Sequence, residues 1–284
     1  RYLGIDVGGT SVKLAVIEGD RTIHTGQSPF YARPTADELR SAVRSAAGGR
    51  EIESAVAGIC VPGLLAPDRS HVTLSVNVPG LMGLPLVQLV SDALGAKTGP
   101  VKVVNDAAAT TCDFIRTHKL TGRVMVMALG TGVGMGVMDD LKMLRVEGAS
   151  SGHIGQIDVS LDDAPVIGPD GGAGSLEGYL GVPALKRRYG EDLNAVLPTL
   201  TESDPPIRAL ARAIRIAHAI YRPEHVGLLG GIGVRLKPVL PIIDRLVRTN
   251  LTSVAFPGWT LRCGNDDFHA ARGAAYLAGT NAQL

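Results

Sequence analysis

Apolar residues occupy every second position in two short segments at the start of the chain. These positions are Leu3, Ile5 and Val7 in the first segment and Val12, Leu14 and Val16 in the second. A repeat of two residues is typical of half-buried β-strands. The residues between the two segments include Gly8-Gly9-Thr10-Ser11. The pattern therefore predicts a β-hairpin that turns at two glycines.

Predicted strands and helices alternate along the rest of the chain. The patterns predict strands over 54–60, 101–104, 123–129 and 225–229, a further hairpin strand within 130–138, and helices over 35–47, 84–94, 107–116, 207–221 and 270–278. Further helices are expected after Ser175 and after Gly233. In the helix within 207–221, apolar residues recur every three or four positions, which places His218 in the core or at its flank. Such alternation is typical of α/β architecture.

The glycine turn of the first hairpin has the composition of a phosphate-binding loop. Gly8 and Gly9 allow backbone conformations that a Cβ would obstruct, and their amide groups can meet an anion. Asp6 precedes the turn, where a carboxylate can hold Mg²⁺ through water. The same pattern also occurs in tight hairpins that bind nothing, so this turn alone leaves both interpretations open.

Two further glycine clusters follow predicted strands. The second, around Gly130-Thr131-Gly132, has glycine at every second residue, which lets a ligand approach the backbone, and Thr131 adds a hydroxyl. The third, Gly230-Gly231-Ile232-Gly233, could pack against an adenine or a ribose. Structural hairpin or strand-to-helix turns remain the alternative for both.

Asn105 and Asp106 lie where a predicted strand meets a predicted helix, a position at which α/β proteins place their sites. Transfer of a phosphoryl group to a hydroxyl needs a carboxylate that orients the hydroxyl and accepts its proton. Asp106 can supply that carboxylate. The alternative is that Asp106 only caps the helix.

Composition narrows the class of protein. The chain has 284 residues, 45% of them hydrophobic, and a formal net charge of +1. We find no run of basic residues and therefore expect no nucleic acid partner and no anionic membrane. Three scattered cysteines and the absence of a long apolar segment favour a cytoplasmic enzyme with reduced thiols.

The order of these motifs resembles the ROK family of sugar kinases and repressors, within the actin-like ATPase superfamily. The segments that carry the resemblance are 6–10, 58–63, 77–80, 129–134 and 229–233, together with Asn105-Asp106. It implies two ribonuclease-H-like lobes with a cleft between them. The lobes would comprise 1–108 with a returning C-terminal helix at about 267–284, and 109–266. It also implies a homodimer.

The resemblance also implies an activity and a set of site residues. The activity is phosphorylation of a hydroxyl on a hexose or hexose derivative by ATP and Mg²⁺, with Asp106 as the general base. ATP would contact Asp6, Gly8, Gly9, Thr10, Gly130, Thr131, Gly132, Gly230 and Gly231, and Mg²⁺ would bind near Asp6 through water. The sugar would contact Gly63, Asn77, Asn105, Asp106, His153, Gln156 and Glu177.

The chain departs from the family pattern at two loops. ROK sugar kinases typically carry Gly-Glu-Ile-Gly-His, whereas this chain has Gly152-His153-Ile154-Gly155-Gln156. The zinc loop of the family has three cysteines, but the segment 164–177 has none, and Ser175 stands in the place of one. A structural zinc site needs four Cys or His ligands, so we expect no zinc. His153 and Gln156 stand where the family has a glutamate and a histidine that contact the sugar, so the resemblance does not extend to glucose specificity. Glu177 is retained, although a carboxylate also suits the first turn of a helix.

Two other functions remain open. A ROK-type repressor would need a helix-turn-helix ahead of the first phosphate strand, and the given sequence does not contain one. A catalytically degenerate protein that binds sugar and nucleotide, or acts as a regulator, would keep the fold and lose the reaction. Retention of Asp106 and of both phosphate turns favours the kinase.

Overall fold

The computed structural model describes residues 1–75, 78–146, 150–161, 166–169 and 171–280. Contacts within the chain divide it into two compact units. The first unit comprises Arg1–Asp113 and Phe268–Leu284, and the second comprises Phe114–Asp267. The predicted lobe limits, 1–108 with 267–284 and 109–266, stay a prediction that limited proteolysis can test. None of the helices in the described ranges has the length and apolarity needed to cross a membrane.

The first unit contains a five-stranded sheet with the order β3-β2-β1-β4-β7. The strands are β1 (Tyr2–Val7), β2 (Val12–Glu18), β3 (Arg21–Gln27), β4 (Val56–Val61) and β7 (Val101–Asn105), and a small hairpin adds β5 (Leu64–Leu65) and β6 (Val72–Leu74). The helices are α1 (Ala36–Ala46), α2 (Leu86–Leu94), α3 (Asp106–His118), which crosses the division between the units, and α10 (His269–Gly279). Strands β1, β2 and β3 are antiparallel, whereas β1, β4 and β7 are parallel.

Glycines let α10 approach the sheet of the first unit closely. Gly4 and Gly58 are neighbours in the register of β1 and β4. A Cβ on Gly4 would lie 1.8 Å from the carbonyl oxygen of Ala271, and one on Gly58 would lie 2.1 Å from that of Ala274. Both distances are far below a van der Waals contact, so the helix lies against bare backbone. The opposite face of β1 packs Leu3, Ile5 and Val7 into the core, as the alternation predicts.

The second unit repeats this topology. Its sheet has the order β10-β9-β8-β11-β12, with three antiparallel strands followed by two parallel ones. The strands are β8 (Arg123–Leu129), β9 (Val133–Asp139), β10 (Lys142–Met143), β11 (His225–Leu229) and β12 (Thr260–Cys263). The helices are α4 (Leu176–Leu180), α5 (Val182–Tyr189), α6 (Leu193–Val196), α7 (Pro205–Tyr221), α8 (Gly230–Arg235) and α9 (Leu240–Thr249).

The core of the second unit forms between its sheet and the apolar face of α7. His218 belongs to that face and is 1% exposed, so its prediction as a core residue is confirmed. Its ring packs edge-on against Trp259, with the ring centroids 4.5 Å apart. Burial lowers the pKa of His218 to about 4, and His218 is therefore neutral at physiological pH.

Most predicted elements are present, with ends that differ by one or two residues. The predicted helix over 35–47 is observed as Ala36–Ala46, with Thr35 as its N-cap. Strand β3 was not predicted, because its exposed face leaves no apolar alternation to detect. Strand β12 was also missed. The two five-stranded sheets of identical order confirm the expected α/β fold with two ribonuclease-H-like lobes.

Candidate active site

The first glycine turn joins β1 to β2 in the first unit. The amide of Gly8 donates to the carbonyl oxygen of Ser11 at 3.0 Å. The amides of Gly9 and Thr10 make no hydrogen bond within the part of the chain that the structure describes. Contrary to the sequence argument, neither Gly8 nor Gly9 has a positive φ. The turn therefore needs glycine for access to its backbone, with a Cβ on Gly8 lying 3.0 Å from the Ser11 carbonyl oxygen.

Tyr31 holds this turn in place, and sequence analysis missed it. Its hydroxyl donates to the carbonyl oxygen of Gly8 at 2.6 Å, and its amide donates to the carbonyl oxygen of Thr10 at 2.9 Å. Desolvation and the charge of Asp6 raise the pKa of Tyr31, so the hydroxyl stays protonated and donates. Tyr31 lies in the loop after the unpredicted strand β3, where no periodicity marks it.

The sequence left two roles open for Asp106, helix cap and general base, and the structure gives the cap to Asn105. The side-chain oxygen of Asn105 accepts the amide hydrogen of Ala108 at 3.0 Å, which is the hydrogen bond of a helix N-cap. Asp106 is the first residue of α3, and its Oδ1 accepts the amide hydrogen of Ala107 at 2.7 Å. Because Asn105 caps the helix, Asp106 is not needed as the cap.

The carboxyl group of Asp106 is unusually basic. Desolvation, reinforced by the charge of Asp6, raises its pKa to about 6, although the hydrogen bond from Ala107 opposes the shift. Asp6 occupies the same face of the sheet as Cys60, whose thiol donates to Asp6 Oδ1 at 3.7 Å. Burial raises the pKa of Cys60, which keeps that thiol protonated. The carboxylate of Asp6 is an oxygen ligand of the kind that Mg²⁺ prefers, so Asp6 fits the expected Mg²⁺.

The second glycine turn joins β8 to β9 in the second unit. The amide of Gly130 donates to the carbonyl oxygen of Gly132 at 3.0 Å. The amides of Thr131 and Gly132 make no hydrogen bond within the described residues. The two units therefore present equivalent turns between the first and second strands of their sheets, each with open amides suited to an anion.

Glu177 connects three parts of the second unit. Its Oε2 accepts the amide hydrogen of Val133 at 2.8 Å, directly after the second glycine turn. A Cβ on Gly132 would lie 2.7 Å from the same oxygen, and one on Gly155 would lie 3.2 Å from it. Glu177 belongs to the first turn of α4, which Ser175 caps by accepting the amide hydrogen of Gly178. Its carboxylate thus joins the helix, the glycine turn and the loop that carries His153.

The loop 152–156 is exposed at both positions that differ from the family pattern. His153 and Gln156 flank the buried residues Ile154 and Gly155 in a short 3-10 turn. Within the described residues, no group of three or more His, Cys, Asp or Glu side chains could hold a metal ion. The predicted absence of zinc stays a prediction, since 164–165 and Asp170 fall outside those residues.

The third glycine turn begins α8. Gly230 has φ +76°, and a Cβ there would lie 2.5 Å from the carbonyl oxygen of Leu129, so only glycine fits.

Gly63, a predicted sugar contact, has φ +109°, and a Cβ there would lie 2.2 Å from the carbonyl oxygen of Leu74. Backbone geometry therefore explains the glycine at this position. Asn77 lies outside the described residues, and its predicted sugar contact stays a prediction.

The two repeated sheets, each with an open glycine turn, have the fold of the actin-like ATPases. The chain belongs to the ROK family, whose sequence profile matches residues 2–281. The family expectation is therefore confirmed over nearly the whole chain.

Individual relatives match in different ways. The N-acetylmannosamine kinase of Salmonella gallinarum is 33% identical over 162 residues, which cover 54% of this chain and 52% of that protein. The chain thus spans about half the length of the curated relatives that it matches.

Two solved structures share the fold over a longer range. A ROK family glucokinase from Streptomyces griseus, in complex with glucose and AMPPNP, has a TM-score of 0.76 and 24% identity and covers 98% of this chain and 99% of its own. A ROK family transcriptional regulator, a homologue of the E. coli MLC protein, has a TM-score of 0.71 and 18% identity. The match covers 98% of this chain and 77% of the regulator. Because kinases and a regulator share this fold, the site has to decide the function.

Proposed function

We propose that this protein transfers the γ-phosphoryl group of ATP to a hydroxyl of a hexose or hexose derivative. The observation that carries the proposal concerns the carboxylate of Asp106. Asn105 caps the helix, so Asp106 is not needed there, and the pKa of Asp106 is raised to about 6. A general base works best when its pKa lies near the working pH. Asp106 is then mostly ionised at neutral pH and more basic than an ordinary aspartate.

The two glycine turns supply groups that suit the phosphates of ATP. Gly9, Thr10, Thr131 and Gly132 offer amides with no partner in the described residues, and Thr131 adds a hydroxyl. Phosphoryl transfer depends on positioning and on donors aimed at the phosphate oxygens. Mg²⁺, held near Asp6, would neutralise phosphate charge when bound. Asp106 would orient the acceptor hydroxyl and take its proton.

N-acetylmannosamine is the first sugar to test, because the curated relatives are N-acetylmannosamine kinases that match about half of the chain. The predicted sugar residues Asn105, His153, Gln156 and Glu177 are all polar, and His153 and Gln156 are exposed. A site built on hydrogen bonds discriminates strongly between sugars that differ in one polar group. The homodimer and the cytoplasmic location implied by the sequence remain proposals.

A coupled assay of ADP release tests this function. We expect ADP release that depends on one of the sugars in a panel of N-acetylmannosamine, N-acetylglucosamine, mannose and glucose. Asp106→Asn should lower kcat by about 10²–10⁴-fold, since only the base is lost, with nucleotide affinity nearly unchanged. Asp37→Asn, which removes an exposed carboxylate on α1, is the matched control.

Two results would count against the proposal. Full turnover by the Asp106→Asn variant would exclude Asp106 as the base. Binding of ATP and a sugar without any ADP release would favour the alternative, a catalytically degenerate ROK-type protein that binds sugar and nucleotide.

A further inference from the structure

Three arginines of α7 lie on one face of the helix, away from the residues discussed above. Arg208, Arg212 and Arg215 are spaced by four and three residues, which brings their side chains together on the helix surface. Apolar residues separate these arginines in the chain, so they form no run of basic residues. A helix with 3.6 residues per turn brings them to one face. We call these three residues the arginine face.

The arginine face lines a cavity of about 230 Å³ between α7 and α9. Leu161 and Leu246 contribute apolar surface to this cavity, and Asn250 of α9 contributes an amide. The Asn250 Nδ2 donates to the carbonyl oxygen of Leu246 at 3.1 Å, which leaves its side-chain oxygen to accept from another group. A concave site with apolar walls and a few convergent polar groups is typical of small-ligand binding.

The arginine face makes no ion pair within the described residues, although the carboxylate of Asp158 interacts electrostatically with Arg212. No carboxylate there lies within ion-pair distance of Arg208, Arg212 or Arg215. Arg245 of α9 already pairs with Glu202 at 2.5 Å. Arg212 donates to the carbonyl oxygen of Ser160, which is uncharged. Like charges at this spacing repel each other, so an anion that bridges them would be bound favourably.

Arg215 adds a second, independent observation. Its Nε is buried and has no hydrogen-bond partner in the described part of the chain. A buried donor without an acceptor is unfavourable, and a poorly hydrated guanidinium attracts an anion more strongly than an exposed one. A phosphate group that reaches the terminal nitrogens of Arg215 would pair with the charge of this guanidinium and would be sensed at the neighbouring Nε.

We propose that the arginine face is a binding site for a small phosphate-bearing anion, separate from the ATP phosphates. The planar guanidinium groups can hold a phosphate through paired hydrogen bonds, which lysine cannot do. The cavity volume suits inorganic phosphate or the phosphate end of a monoester. Asn250 could accept from a hydroxyl of the ester. This proposal does not depend on the kinase activity.

The test uses the full chain and a local reporter. The ¹H–¹⁵N spectrum of arginine Nε groups is recorded during titration with inorganic phosphate, with a hexose 6-phosphate, and with chloride at matched ionic strength. The Arg215 signal is assigned by its loss in Arg215→Lys. We expect both phosphates to shift this signal and chloride to leave it unmoved. Tighter binding of the hexose 6-phosphate than of inorganic phosphate would identify an organic ester as the ligand and support a role for Asn250.

Calorimetry with the same probes gives the affinities. R212Q/R215Q should weaken phosphate binding by at least about tenfold, because each charged pair of hydrogen bonds is lost. R212K/R215K keeps the charge and should bind with intermediate affinity. R187Q/R188Q removes two exposed arginines of α5 and should bind as the parent does.

Several outcomes would overturn the proposal. These are an Arg215 signal that does not respond to phosphate, an equal response to chloride, or the same affinity in the parent and in R212Q/R215Q. A response to a short oligonucleotide without one to phosphate would indicate a nucleic acid surface instead.

Discussion

The carboxylate of Glu177 accepts the amide hydrogen of Val133 at 2.8 Å, and this bond fixes the second glycine turn to the first turn of α4. The resemblance to sugar kinases implies that Glu177 contacts the sugar. The hydrogen bond to Val133 also supports a second role, in which Glu177 positions the glycine turn that we propose to bind the nucleotide. The two roles predict different kinetic consequences.

We predict that Glu177→Ala weakens nucleotide binding and destabilises the fold by about 1–3 kcal/mol, because the Val133 amide loses its acceptor. Glu177→Gln keeps an acceptor oxygen and is the matched control, with nucleotide affinity close to that of the parent. Urea unfolding and nucleotide titration measure the two quantities. Unchanged nucleotide affinity in Glu177→Ala, with a raised KM for the sugar alone, would leave only the role implied by the sequence.

The first glycine turn shows how far the sequence alone could go. The alternation of Leu3, Ile5 and Val7 predicted the hairpin correctly, because the large apolar residues of β1 all lie on one face of the strand. Tyr31, which holds the turn, could not be found in this way. It follows a strand whose exposed residues lack a pattern, and its partners are backbone carbonyls that any sequence provides.

At the strand-to-helix junction, too, the sequence could not decide which residue has which role. The sequence located Asn105 and Asp106 at the start of a helix, but both residues are good N-caps. Only the hydrogen bond from the Ala108 amide to Asn105 identifies Asn105 as the cap and leaves Asp106 as the candidate base. The spacing of the arginine face could be read from the predicted helix over 207–221, but the cavity between α7 and α9 could not.

The pKa of Asp106 predicts an unusual dependence of stability on pH. The pKa is raised from 3.8 in the unfolded chain to about 6 in the folded protein, so between these values the folded state binds more protons. Stability should therefore fall as pH rises from about 4 to about 6 through this group. The penalty is complete at neutral pH and absent well below pH 4.

We predict that Asp106→Asn stabilises the metal-free, nucleotide-free protein by about 1–3 kcal/mol at pH 7.5. The gain should shrink to nearly nothing at pH 3.5, provided that the fold persists there, because Asp106 is then protonated in both states. The asparagine oxygen can still accept from the Ala107 amide. Thermal unfolding of parent and variant at several pH values measures the difference. A gain that is constant across this range would show that the Asp106 charge is not its cause.

Tyr31→Phe should weaken nucleotide binding by about three- to tenfold with kcat nearly unchanged, since one hydrogen bond to the Gly8 carbonyl oxygen is lost. Tyr189→Phe removes a comparable hydroxyl, which donates to Asp204 at 2.9 Å in the second unit, and should leave nucleotide affinity as it is. Equilibrium titration with a non-hydrolysable ATP analogue separates binding from turnover. Equal effects of the two variants would indicate a general loss of stability and no specific role for Tyr31.

The last prediction concerns the choice of sugar, which we assign to His153 and Gln156. These exposed side chains replace the glutamate and the histidine that ROK sugar kinases typically present to their substrate. Both can donate hydrogen bonds, whereas a carboxylate only accepts them, so the pattern of satisfied hydroxyls or amides differs. The parent enzyme should therefore use glucose poorly.

The double variant H153E/Q156H restores the family pattern and should shift preference towards glucose. One well-placed polar contact contributes about 1–3 kcal/mol, so relative kcat/KM should change by about tenfold to a hundredfold. H153A/Q156A is the control, and it should lower kcat/KM for every sugar without favouring glucose. Nucleotide affinity, measured in parallel, checks that the second glycine turn is intact. If H153E/Q156H binds nucleotide as the parent does and ranks the sugars in the same order, this loop does not select the sugar.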